Sequence, residues 1–409
     1  MLTKLAWRNI WRNKRRSILT IGSVAFAVFF SVFMQSIQKG AWDHMLNNVV
    51  NFYYGYAQVH KAGYWDNQSL DESLPLNADF IQELKDIDGI QDVAPRLESF
   101  ALASVGERTK GVLVIGTEAE AENNLTKLAD HIVAGQYWTK NSQKVLVAEG
   151  VAKQLEISVG DTIILLSQGY HGANAAGKYA IEGLLRFGSP ELNKRMVYMP
   201  YSQATYFFGA DQRATSLALK INSKDELPTV LTALNEQLDT SVYEIMRWES
   251  MMPELVEAKE LDTAGNLLVL GVLYLIIIFG IFGTILMMLR ERLYEFGVLL
   301  GIGMRRIQLG FTIWLEVVLL GFLGVLTGMA IAFPLVYYVK ENPIDLSSMG
   351  EEAVEAYEKF GMEPVLPAII DPEIFITQAI IVFFFTSFLG IYAFWKIRSL
   401  NPIQAMREG

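Results

Sequence analysis

Four stretches of this chain, 17–37, 267–289, 309–338 and 374–394, are apolar over 20 residues or more and nearly free of charge. A helix of about 20 apolar residues matches the roughly 30 Å hydrocarbon core of a bilayer. A buried core helix accounts for one such stretch far more easily than for four. With 52% hydrophobic and only 19% charged residues among 409, the composition fits a membrane protein carrying a large soluble part. Lys4, Arg8, Arg12, Lys14, Arg15 and Arg16 precede the first stretch as they would a signal peptide. The stretch is longer than a signal core and lacks a small-x-small cleavage site, so an uncleaved signal anchor is expected.

Charge sets the topology. Residues 1–16 hold six basic residues and no acid; 290–306 hold four basic against two acidic, and 396–409 three against one. The positive-inside rule assigns all three to the cytoplasm. The remaining segments are acidic: 39–266 has 19 basic against 31 acidic residues, and 340–373 has 2 against 9. The expected organisation is a cytoplasmic amphipathic helix (1–16), transmembrane helix one (17–38) and an extracytoplasmic mixed α/β domain (39–266). Helix two (267–289), a cytoplasmic coupling segment (290–308) and helix three (309–339) come next. An outer loop with a short helix (340–373), helix four (374–395) and a cytoplasmic tail (396–409) complete it. A net charge of −10 argues against nucleic acid as a partner, and the absence of cysteine excludes disulfides and thiolate metal sites.

The outer domain shows strand-like runs at 54–62, 111–117, 144–150, 161–166, 178–185, 195–200 and 215–221, and helical runs at 78–86 and 227–238. Within it GANAAGKY, residues 172–179, matches all but the last letter of a P-loop. That motif needs a strand, a glycine-rich turn and a helix whose N-terminus faces phosphate, plus a Ser or Thr for magnesium. Here Tyr179 takes the last position and a strand-like run succeeds it, so a hairpin is expected. The four histidines, His44, His60, His131 and His171, show no ligand spacing, and no G-x-S-x-G elbow is present.

Small residues recur in the apolar helices. Ser23, Ala27 and Ser31 form one face; Gly321, Gly324 and Gly328 form another, suited to intramolecular packing or to a dimer interface. Glu316 lies inside the third helix, where a carboxylate is costly unless paired. The expected partners are Arg305 or Arg306, in a structural or coupling ion pair. The segment RERLYEFGVLLGIGMRRI, 290–307, is charged yet carries an apolar side, which either packs under the bundle or docks a cytoplasmic partner. LTKLAWRNIWRNKRR, 2–16, suits a helix lying at the membrane surface. In 340–373, Leu346, Met349, Val354, Tyr357 and Phe360 approximate one helical face over the outer mouth.

One helix, an outer domain of about 220 residues and three more helices resemble the plan of the MacB/FtsX-like ABC transporter permeases, including the lipoprotein-releasing LolC and LolE type. ERLYEFGVLLGIGMRRIQLGFTIWLEVVLLGFLGVLTG (291–328), HIVAGQYWTKNSQKVLVAEGVAKQLEISVGDTIIL (131–165) and the closing NPIQAMRE (401–408) carry the resemblance. Leu300 and Gly301 stand where that family has Arg-Ala, Tyr294 where it has a basic residue, and Gln404 where it has Glu. The resemblance implies a non-catalytic permease with no cofactor of its own, in the bacterial inner membrane with both termini cytoplasmic. It implies two copies of a separate ATPase that binds ATP and magnesium, and a second permease copy or paralogue. Glu291, Arg292, Tyr294, Glu295, Gly297, Leu300, Gly303, Arg305 and Arg306 would form the ATPase-coupling segment. A lipoprotein cargo, a periplasmic carrier or adaptor, and membrane lipid complete the implied partners. Export of peptides, antibiotics or toxins, and signalling to a cell-wall hydrolase, are the alternatives within that family. Paired broken helices of a secondary transporter are absent from the pattern.

Overall fold

A computed structural model describes residues 2–139, 142–350, 354, 364–401 and 406. The chain divides into two compact units. One comprises Met1–Trp42, Ala258–Asp345 and Val365–Gly409; the other comprises Asp43–Glu257 and Leu346–Pro364.

The first unit is helical: α1 (Leu2–Arg12), α2 (Lys14–Val49), α3 (Pro253–Glu291), α4 (Leu293–Gly301), α5 (Arg306–Glu341) and α6 (Pro372–Arg398). Of these, α2, α3, α5 and α6 are long and apolar enough to cross a membrane. The first two overrun the expected boundaries of the outer domain at 39 and 266. At 1.5 Å per residue the 39-residue α3 is about 58 Å long, nearly twice a hydrocarbon core. Apolarity marks only the part that lipid must solvate, and no internal proline interrupts the polar continuation. The chain passes from one unit to the other inside these two helices.

Around α5 the small residues set the packing. A Cβ added at Gly324 would lie 2.6 Å from Val24 of α2, and one at Gly328 would lie 2.7 Å from the Ala25 carbonyl. Gly321 abuts Thr386 of α6. Ser23 faces Gly280 of α3, and one turn away the Thr20 and Thr284 hydroxyls lie 2.8 Å apart. Ala27 and Ser31 are fully buried. Both small-residue faces are therefore filled by helices of the same chain. At its far end α2 is tied to α3 through Trp42 Nε1 and Gln38 Nε2, each donating to Asp262 Oδ2 at 2.7 Å, and to the α6 N-cap through Lys39 and Asp371. Between α5 and α6, Ile344–Asp345 pairs with Val365–Leu366, and Leu346–Met349 forms a 3-10 turn. Tyr357 and Phe360 of the expected loop helix lie outside the described residues, as does Gln404 in the tail.

The second unit is built on a ten-stranded sheet: β1 (Ala57–Lys61), β2 (Ile90–Val105), β3 (Arg108–Thr117), β4 (Ile132–Gly135), β5 (Val145–Ala148), β6 (Thr162–Gln168), β7 (Asn174–Leu185), β8 (Met196–Pro200), β9 (Ser216–Ile221) and β10 (Tyr243–Arg247). The order runs β10-β1-β9-β2-β3-β8-β5-β7-β4, with β6 joining β2 to β7. That extra pairing closes β2, β3, β8, β5, β7 and β6 into a ring around Leu97, Val114, Leu146, Ile163, Ile181 and Val197. The 172–179 motif falls on the β6–β7 hairpin, where Gly177 and Lys178 pair with Leu165 and Ile164. A strand and not a helix continues directly from the turn, so the segment lacks the geometry of a P-loop. Part of the expected glycine-rich connection is strand.

A buried ionic group sits where α2 gives way to this sheet. After α2 the chain makes a π-helical turn, Val50–Tyr54. Arg96 of β2, fully buried, donates from Nε and Nη2 to the two oxygens of Glu122 at 2.8 and 2.7 Å and from Nη1 to the Tyr53 carbonyl at 2.5 Å. The Tyr53 hydroxyl donates to Glu98 at 2.9 Å. Burial pushes the Glu98 carboxyl above its ordinary range, with Arg96 pulling the other way. Each charge meets a partner, as a low-dielectric interior demands.

Candidate functional site

Between α3 and α5 the chain must turn back within a few residues, and the sequence provides for it. The α3 helix stops at Glu291; Arg292 leaves helical geometry and α4 starts at Leu293. Phe296, fully buried, anchors α4 to the bundle, with the Arg292 guanidinium 5.2 Å from its ring centroid. Gly303 then takes φ +105°, where a side chain would be strained, and its N–H reaches the Leu300 carbonyl at 3.2 Å. Arg305 is the N-cap of α5, its N–H donating to Gln308 Oε1 at 3.2 Å. Tyr294 stays half exposed, Gly297 is buried and Leu300 is partly buried.

Above this turn runs a continuous ladder of charge. Arg12 of α1 donates to both oxygens of Glu295 on α4, each at 2.6 Å. Arg292 reaches Glu295 through Nε at 3.2 Å and Glu316 through Nη1 at 2.9 Å. Glu316, wholly buried on α5, accepts a further hydrogen bond from Arg16 Nη2 at 3.3 Å. Arg16 in turn holds Glu291 at 3.3 Å, and Asn13 joins that carboxylate at 3.2 Å. The order Arg12–Glu295–Arg292–Glu316–Arg16–Glu291 alternates in sign at every step and sums to zero, which lets so much charge lie against apolar helices. It links α1, α2, α4, α5 and the end of α3. Burial tends to raise the Glu295 carboxyl, but the hydrogen bonds from Arg12 and Arg292 outweigh it and hold it below its ordinary value.

The expected pairing of Glu316 with Arg305 or Arg306 is therefore corrected. Glu316 stands ten residues beyond Arg306 on one straight rise, about 15 Å away, too far for those side chains. Arg306 instead donates to the Arg398 carbonyl at 2.8 Å near the end of α6, and Arg305 is exposed. The partners come from neighbouring helices. In the sequence Arg12 and Arg16 read only as charges that set topology. Their signal is position: Arg16 stands immediately before the apolar stretch, where a cation can be drawn inward by a buried carboxylate. Among the described residues no group of three or more His, Asp or Glu is placed to hold a metal.

Comparison with known families matches residues 17–237 to the MacB-like periplasmic core domain and 267–402 to the FtsX-like permease C-terminal domain. The lipoprotein-releasing system transmembrane protein LolC of Neisseria meningitidis serogroup B is 19% identical over 321 residues, covering 76% of this chain and 75% of that protein. The corresponding LolE of Haemophilus influenzae is 26% identical over 141 residues, 32% of this chain and 33% of that protein. Among solved structures, the periplasmic region of MacB from Actinobacillus actinomycetemcomitans matches with a TM-score of 0.34 and 16% identity, over 52% of this chain and 98% of that one.

Proposed function

The chain belongs to the family of FtsX-like permeases with a MacB-like periplasmic core domain, and we propose that this ABC-transporter permease releases lipoproteins from the inner membrane. In this reading both termini face the cytoplasm. Two copies of a separate ATPase, which hold ATP and magnesium, bind beneath the chain and a second permease copy or paralogue. The chain itself performs no chemistry. The α4 segment receives the nucleotide-driven movement; α2 and α3 carry it to the outer domain, which lifts an acylated protein out of the membrane.

The observation that carries this reading is the ionic ladder. A force applied to α4 meets Glu295 and Arg292, which are bonded through Glu316 to α5 and through Arg16 to α2. Elements so joined move as one body, and the nucleotide can drive that movement only by binding two permease states with different affinities. The choice of lipoprotein as cargo rests on the name of the relative that covers three quarters of its length with this chain.

Affinity purification of the tagged full chain in mild detergent, coupled to mass spectrometry of everything retained, tests it. An ATPase with acylated lipoproteins is the expected outcome. An ATPase accompanied by a cell-wall hydrolase, or by an adaptor and an outer-membrane channel, would redirect the cargo assignment; an intact complex with no ATPase would overturn the coupling reading.

A further inference from the structure

The first sixteen residues carry six cations, and the ladder uses two of them. Arg12 and Arg16 are held by glutamates. Lys4, Arg8, Lys14 and Arg15 are exposed and have no hydrogen-bond or ion-pair partner among the described residues. Around α1 the faces lie in order. Ala6 and Ile10 are fully buried, and α1 packs on α5. Next come Trp7 and Trp11, half exposed and in edge-to-face contact at 5.9 Å. Helical spacing sets Lys4 beside Trp7 and Arg8 beside Trp11, three residues apart in each case.

The first turns of α2 fix the depth of this edge. Ile18 and Leu19, both more than 60% exposed, begin its apolar stretch. Large exposed aliphatics on a spanning helix face hydrocarbon, so the residues one turn earlier, Lys14 and Arg15, stand at the level of the lipid phosphates. Tryptophan prefers that interface, and basic side chains there attract negatively charged headgroups. A face turned only to water would have no use for two exposed tryptophans.

We propose that Lys4, Arg8, Lys14 and Arg15, together with Trp7 and Trp11, form a binding edge for the headgroups of anionic glycerophospholipids. The edge spans the two helices that carry the ladder's outer arginines, Arg12 on α1 and Arg16 on α2, so bound lipid secures the foot of the ladder. This inference does not depend on the cargo or on the ATPase.

Native mass spectrometry of the full chain in neutral detergent, titrated with phosphatidylglycerol or with phosphatidylethanolamine of the same acyl composition, reads it directly. The wild type is expected to retain phosphatidylglycerol at least about fivefold better. The Lys4→Gln/Arg8→Gln/Lys14→Gln/Arg15→Gln variant should bring that ratio near one with no change in thermal melting, since these side chains make no hydrogen bond or ion pair among the described residues. A control, Lys153→Gln/Lys224→Gln in the outer unit, should keep the wild-type ratio. An unchanged ratio in the quadruple variant overturns the proposal, as does equal loss in the control. Loss of a co-purifying protein from the quadruple variant, with the lipid ratio intact, would assign the edge to that protein instead.

Discussion

His60 on β1 shows how one buried group makes the outer unit sensitive to acid. Its ring lies on Tyr64 with centroids 5.1 Å apart, and Nδ1 is 2.9 Å from the Thr215 carbonyl. A carbonyl only accepts, so Nδ1 carries the proton and Nε2 is bare, buried and without a partner among the described residues. A second proton would put charge into an apolar pocket; burial accordingly pulls the pKa from 6.5 down to about 4. The unfolded chain therefore binds more protons between those values. The neutral ring's contribution is complete above pH 6.5 and is lost as pH falls toward 4. At pH 5 the loss is about 2 kcal/mol. Glu98, whose pKa burial raises, works in the opposite sense above its ordinary value of 4.5. Comparison with His60→Gln isolates the histidine. Protection factors of the β1 and β9 amides in the full chain, each exchange rate being referred to the intrinsic rate at that pH, should fall between pH 7.5 and 5 in the wild type and much less in the variant. Equal slopes in both would show that His60 is not the sensor.

At the scale of the element, α5 is held by what its glycines leave out. Gly324→Leu forces a side chain into Val24 of α2, backed by the Ile21 carbonyl 3.3 Å away. Overpacking of this kind costs roughly 1–3 kcal/mol, so the melting temperature in detergent should drop clearly. Gly283→Ala on α3, where a Cβ meets nothing within 4 Å, should be neutral or slightly stabilising. If the two variants melt alike, α2 and α5 are not in close contact. Such faces are legible in the sequence because small residues four apart can serve only close approach, whereas the helix each one meets has to come from the fold. The spanning helices are legible for the same reason, since lipid leaves few other uses for 20 apolar residues. The β2 strand is not. Its IQDVAPRLESFALASV, with Pro95, Arg96 and Glu98 in the middle, is not among the strand-like runs of the sequence. Those charges are absorbed by Glu122, Tyr53 and Ser216 from three other elements. Short β4 and β10 escape the sequence as well, being strands only through the neighbours that pair with them.

For the whole molecule, the question is whether the ladder transmits or only braces. Glu316→Gln keeps the shape and an acceptor but leaves Arg16 and Arg292 around a neutral group. Losing one partner of a buried pair costs on the order of 3–5 kcal/mol, and the retained amide should soften this. Such a variant alone cannot separate weakened helices from lost transmission. Glu295 can, because it is 40% exposed and its pairs contribute under about 1 kcal/mol to stability. Yet it is the rung through which α1 and α4 connect. In a complex reconstituted with the ATPase that co-purifies, Glu295→Gln should leave ATP hydrolysis within about twofold of wild type and melting nearly unchanged, while cargo release falls by roughly tenfold. Glu316→Gln should lose release as well, with a lower melting temperature for the helical unit and unaltered hydrogen exchange in β2 and β7, which belong to the other compact unit. Normal release by Glu295→Gln alongside a defective Glu316→Gln would mean that the buried carboxylate only holds the helices together. Movement would then pass from α4 to the bundle through Phe296 and its apolar contacts, and the charges would matter only for assembly.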